Sequence, residues 1–134
     1  MADTTPSRPL VSPPKPVLVF DGECALCTTW VAGLRQRENQ PLECVAYQDA
    51  TVSARFPNLA RERLEHSVHL IESDGRVHRG AQAVLRTPGR GRLQAALLWL
   101  YERSPTFARL AEAVYRCIAA NRRRLTALFA QGRR

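Results

Sequence analysis

Four apolar residues in a row, Val17-Leu18-Val19-Phe20, are halted by Asp21-Gly22. An uninterrupted run of this kind predicts a strand buried on both faces, and the Asp-Gly pair predicts the turn that ends it. Cys27, Trp30, Val31 and Leu34 follow at i, i+3, i+4 and i+7, the stripe of an amphipathic helix reaching about Glu38. Asn39-Gln40-Pro41 breaks that helix, and Leu42 to Tyr47 reads as a second, mostly buried strand ended by Gln48-Asp49. Strand, helix and strand at this spacing predict a right-handed crossover into a parallel pair.

Farther on, Thr51 to Glu65 is polar and interrupted by Pro57, which predicts a loop and then a short helix from about Asn58. Ser67 to Ser73 and Arg76 to Arg79 flank Asp74-Gly75, the sequence of an antiparallel hairpin. Gly80-Ala81-Gln82-Ala83 opens a helix whose small residues let backbone pack closely on the sheet, and Thr87-Pro88-Gly89 ends it. Two longer helices close the chain. Leu93, Leu97, Leu100 and Tyr101 form the apolar face of the first; Phe107, Leu110, Ala111, Val114, Tyr115 and Ile118 form that of the second, with Ser104 as N-cap and Pro105 in its first turn. Beyond Asn121, the run Arg122-Arg123-Arg124 precedes Leu125, Leu128 and Phe129, which continue a helical spacing.

The order β-α-β, connecting segment, β-hairpin, α is that of a thioredoxin-like α/β domain: a small mixed four-stranded sheet with flanking helices, here followed by two extra C-terminal helices. This fold sets the turn after the first strand at the carboxyl end of a parallel strand, where open α/β sheets hold their reactive groups. The domain is expected over residues 17–130, with a frayed end at 131–134. Residues 1–16 carry five prolines and almost no large apolar side chain, so a disordered tail is expected there.

The 134 residues suffice for one ordinary core. The net charge of +8 is unevenly placed: up to Leu85 nine basic residues face ten acidic ones, whereas from Arg86 onward eleven arginines stand against only Glu102 and Glu112. A basic surface of this kind suits an acidic partner, or it is simply a solvated helical face. No aromatic residues interleave the arginines as a base-stacking platform requires, so nucleic acid is not expected as a partner. Nothing near Met1 resembles a secretory leader, and the apolar run Ala95 to Tyr101 is too short to span a bilayer. The expected location is therefore the cytoplasm, where four cysteines are not a disulfide framework.

Cys24 and Cys27 form a C-x-x-C at the strand-to-helix turn. This placement predicts a redox pair, since a closed zinc site needs two more ligands. Cys24 falls at the helix N-terminus, where unpaired N–H groups favour a thiolate, and Cys27 begins the face that turns into the core. Cys24 is thus the expected nucleophile and Cys27 the resolving thiol. Asp21 and Glu23 oppose thiolate formation by like charge, so a moderately activated, reductant-like dithiol is expected. Asp21 is also a candidate to carry a proton to or from Cys27, although capping the turn and the helix accounts for an Asp before Gly22. His66 or Ser67, at the start of the third strand, is a candidate to touch Cys24, although a surface position accounts for the histidine. Cys44 and Cys117 read as small hydrophobes, Trp30 as core, and His69 and His78 as surface residues flanking the hairpin turn.

At these residues the sequence resembles the DCC family of predicted thiol-disulfide oxidoreductases, whose D-x-x-C-x-x-C motif is matched by Asp21 to Cys27. Similarity extends to Asp74-Gly75-Arg76-Val77, Gly80-Ala81-Gln82-Ala83 and the stretch from Tyr115 to Arg122, spanning about Pro16 to Arg124. The resemblance implies dithiol chemistry on a thioredoxin-like fold without a cofactor, acting on a disulfide-bearing protein or small molecule and restored by an external thiol. One position departs from thioredoxins, which carry a proline immediately before the third strand where this chain has Leu64-Glu65-His66-Ser67. The alternatives are a metal or iron-sulfur module completed by His66 or a second chain, and a redox-sensing interaction domain with a basic C-terminal surface.

Overall fold

A computed structural model describes residues 13–36, 42–87, 91–122, 124, 125, 127 and 128. The four-stranded sheet has the order β2-β1-β3-β4, formed by β1 (Val17–Phe20), β2 (Glu43–Ala46), β3 (His69–Ile71) and β4 (Val77–Arg79). β1 runs parallel to β2 in the register Leu18 to Cys44 and antiparallel to β3 in the register Leu18 to Leu70, and β3 pairs antiparallel with β4. The α/β, thioredoxin-like architecture expected from the sequence is the one found.

The apolar run explains why β1 lies inside. Alternate side chains point to opposite faces of a strand, so Leu18 and Phe20 supply one core while Val17 and Val19 supply another. The first core joins them to Val31 and Leu34 of α1 (Ala25–Arg35), to Val68 and Leu70, and to Ala83 of α4 (Gly80–Arg86). The second joins Val17 and Val19 to Ile71, to Val52 of α2 (Ala50–Arg55), to Phe56, and to Leu64 of α3 (Arg61–His66). Each fully buried Val, Leu or Phe contributes about 1.5–3 kcal/mol, so β1 alone anchors both layers.

Several expectations need correction. Thr51 to Glu65 is not a loop and one helix: α2 and α3 flank Pro57, and Asp49 caps α2 by accepting the Thr51 N–H at 2.9 Å. β2 is half-buried because it forms the sheet edge, where Glu43 pairs with Arg55. His69 and His78 are buried, since β3 is an inner strand and the hairpin folds against α4. The His69 Nδ1 donates to the Ser67 carbonyl at 3.0 Å, and burial holds the ring below its ordinary value, hence neutral. Pro13 is buried and the Pro16 carbonyl accepts the Glu43 N–H at 2.9 Å, so ordered structure reaches into the expected tail. Residues 1–12 of that tail, the helix end and breaker at 37–41, Pro88 to Arg90, and the end at 129–134 lie outside the described residues.

The helices α5 (Arg92–Arg103) and α6 (Pro105–Ala120) pack on α4 and on each other, and α6 reaches the core of the sheet through Tyr115. Ser104 caps α6 by accepting the Phe107 N–H, as its sequence predicts. The expected apolar faces are only partly covered, because α4 offers a narrow surface. Leu97, Tyr101, Phe107, Ala111 and Tyr115 turn inward, while Leu93, Leu100, Leu110, Val114 and Ile118 are exposed. Cys117 is exposed beside them instead of sitting in an apolar interior. Among the described residues no helix is long and apolar enough to cross a membrane.

Candidate active site

The turn after β1 is tied to the end of β2. The Tyr47 N–H donates to the Phe20 carbonyl at 2.8 Å, and the Gln48 side chain then bridges the turn. Its Nε2 donates to Asp21 Oδ1 at 2.7 Å, and its Oε1 accepts the Gly22 N–H at 3.0 Å. A Cβ on Gly22 would lie 2.9 Å from Ala46 Cβ and 3.2 Å from Gln48 Oε1, so glycine is what lets the turn press against β2. Asp21 Oδ1 also accepts the Glu23 N–H at 2.9 Å, a local turn closure typical of Asp.

Cys24 follows with extended backbone and is itself the N-cap of α1. Its sulfur stands where a Ser or Asp oxygen would cap a helix, and accepts the Cys27 N–H at 3.3 Å. Asp21, expected to cap both turn and helix, therefore caps the turn alone. Cys24 is only 5 % exposed, and Cys27 is half-buried against the core that holds Leu18 and Val31. Both thiols are free. Burial pushes the Cys27 thiol up to about 12, helped by its hydrogen bond to Cys24 and the charges of Cys24 and Asp21, with Arg122 acting in the opposite direction.

Two residues after the chain's midpoint complete the surroundings. The Arg122 Nη1 lies 3.1 Å from Asp21 Oδ2, and its Nη2 donates to the Glu65 carbonyl at 2.8 Å. Tyr115 accepts the N–H of Val68, the residue immediately before β3, at 2.9 Å. Burial raises the Tyr115 hydroxyl to about 12, so it stays neutral beside Cys27. Gly80 adopts φ +63°, and a Cβ there would lie 2.7 Å from Glu112 Oε2 and 3.5 Å from Tyr115 Cδ1. Its smallness therefore serves the approach of α6, where the sequence suggested packing on the sheet.

Of the sequence-predicted residues, Asp21, Gly22, Cys24 and Cys27 come together, and Gly80 lies apart from them against Glu112 and Tyr115. His66 is exposed at the end of α3, and Ser67 is half-buried with its carbonyl engaged by His69. Neither makes a hydrogen bond or ion pair with a thiol among the described residues. No three His, Cys, Asp or Glu side chains gather as metal ligands among the described residues, so the metal module built on His66 has no donor set there. Trp30 and Cys44 pack half-buried on the core, and burial raises the Cys44 thiol. Sequence reasoning did not single out Gln48 or Arg122 as site residues. Gln48 carries no signature beyond following a strand, and Arg122 reads as one more cation in a basic run, set apart only by ending the Tyr115 to Arg122 stretch of the family resemblance.

The family described as DCC1-like thiol-disulfide oxidoreductase matches the chain over residues 18–128. No curated protein and no solved structure matches it.

Proposed function

The chain belongs to the DCC1-like thiol-disulfide oxidoreductase family, and on that premise we propose that Cys24 and Cys27 exchange with substrate disulfides, Cys24 attacking and Cys27 resolving. The observation that carries this assignment is the capping geometry of Cys24, whose sulfur accepts the Cys27 N–H at the start of an eleven-residue helix. That N–H donation sets the Cys24 sulfur, and not that of Cys27, at the positive end of the helix dipole.

In the proposed cycle the Cys24 thiolate attacks one sulfur of the substrate disulfide. That bond breaks, its second sulfur leaves with the electron pair, and a mixed disulfide remains on Cys24. Cys27 then loses its proton and attacks Cys24 Sγ, releasing the other substrate sulfur as thiolate. The substrate gains two electrons and two protons, and Cys24–Cys27 becomes a disulfide for an external thiol to reduce. Asp21 and Gly22 act as positioning residues by shaping the turn that presents Cys24. His66 and Ser67 take no part. Substrates are disulfide-bearing proteins or small molecules, and the reducing cytoplasm suits a dithiol working in this direction.

The test is arrest of the cycle. Cys27→Ser incubated with oxidised glutathione is expected to accumulate one glutathione on Cys24, located by peptide mass mapping, while the parent passes on to its internal disulfide. Glutathione distributed equally over Cys24 and the exposed Cys117 would overturn the assignment.

A further inference from the structure

We propose that Arg122 is a positioning residue of the dithiol: anchored on the Glu65 carbonyl and paired with Asp21, its guanidinium cancels the carboxylate's charge where the resolving thiol must ionise. The inference rests on the exchange reading and goes beyond it by assigning control of the second step to the segment after α6. Arg122 is the one cation paired with the motif carboxylate among the described residues, at 3.1 Å, and its second nitrogen is held at 2.8 Å by the Glu65 carbonyl in α3. The carboxyl side chain is 12 % exposed and the guanidinium 29 %, so solvent and salt screen the pair only in part.

The groups bearing on Cys27 have a simple balance. Cys24 and Asp21 come from the turn and helix start, and both oppose a negative charge on Cys27; Arg122 favours one. Tyr115, the other titratable side chain from the C-terminal segment, is held neutral by burial. Once Cys24 is held in the mixed disulfide it carries no charge, and without Arg122 both burial and Asp21 act against the Cys27 thiolate that must resolve it. An arginine suits this role because its planar fork binds carboxylate and carbonyl at once and keeps its proton at any working pH.

The experiment uses the full chain with Cys44→Ala and Cys117→Ser, so that only the dithiol reports. Reduced protein mixed with dithionitrobenzoate releases a first coloured thiolate when Cys24 attacks and a second when Cys27 closes the disulfide. Arg122→Gln is expected to slow the second release about tenfold at neutral pH and move its pH profile upward by about one unit, leaving the first release within about twofold. Arg122→Lys keeps the charge and is expected to retain most of the rate. Asn at position 21 keeps the oxygen that accepts the Glu23 N–H, so Asp21→Asn combined with Arg122→Gln is expected to bring the second release back to within about threefold of the parent. An unchanged pH profile in Arg122→Gln overturns the inference, as does a double variant as slow as the single one. A parent that releases no second thiolate overturns the exchange reading itself.

Discussion

Around the sheet, Val17, Leu18, Leu70 and Ile71 are essentially inaccessible, whereas no residue of α5 or α6 is buried and Leu93 and Leu110 are 76 % and 60 % exposed. The two regions are held by different forces. The sheet is closed by apolar burial on both faces. The helical pair is fixed largely by polar links: Gln94 Nε2 reaches the carbonyls of Leu85 and Thr87 at 2.6 and 2.7 Å, Arg86 pairs with Glu102, and Tyr101 donates to Glu112 at 2.8 Å. The links nearest the end of α6 run to Val68, to Glu65 and to Asp21, the last of them in the turn that precedes the dithiol. Apolar burial is insensitive to charge, while polar links respond to salt and pH. The core therefore decides whether the domain folds, while the C-terminal segment adds the charge of Arg122 to the surroundings of Cys27.

The largest effects should separate the two regions most cleanly. Leu70→Ala is expected to lower unfolding free energy by about 3 kcal/mol and Leu110→Ala by less than about 0.5 kcal/mol in urea denaturation; equal losses would break the comparison. Next come substitutions at the seam between the regions. Gly80→Ala forces a Cβ onto a positive φ and against the Glu112 carboxylate, an expected cost of about 1–2 kcal/mol. Tyr115→Phe leaves the Val68 N–H without its hydroxyl acceptor, an expected cost of about 1–2 kcal/mol. Thermal melts check both, and a silent Tyr115→Phe would show that the seam does not hold the helices. The smallest effect is the pH response of the core. His69 is held neutral by burial, so the unfolded chain binds a proton that the native state refuses. Stability is complete above the ordinary histidine value of about 6.5 and is expected to fall as pH drops below it. A denaturation midpoint that does not move between neutral pH and about pH 5 would contradict this.

The legibility of the chain follows the same division. Strand β1, its Asp-Gly stop, the dithiol and the hairpin at Asp74-Gly75 are local patterns, and each stands where its own residues predict. The histidines were misread because alternation within three-residue strands reveals neither that β3 lies between β1 and β4 nor that α4 covers the hairpin. Helix α2 was hidden in a polar stretch whose apolar positions, Val52 and Phe56, are few, although Asp49 followed by Thr51 is a cap signal. The helical spacing of α5 and α6 was legible, but periodicity does not say which apolar residues find a surface to cover them, and Leu93, Leu100, Leu110, Val114 and Ile118 are left exposed. Asp21, Gly22, Cys24 and Cys27 were legible because the site's reactive part is contiguous. Arg122 and Gln48 were not, because what makes them matter is a tertiary contact with Asp21 across 101 and 27 positions of sequence.

The central claim, that Cys24 and Cys27 are a working redox couple, is tested most directly by equilibrating the protein in glutathione buffers of graded potential and counting alkylated thiols by mass, with Cys24→Ser and Cys27→Ser beside it. The account predicts one reversible two-electron transition, assigned to Cys24–Cys27 by peptide mapping and lost in both variants. Four thiols that stay reduced at every potential, or a transition that survives in either variant, would contradict it.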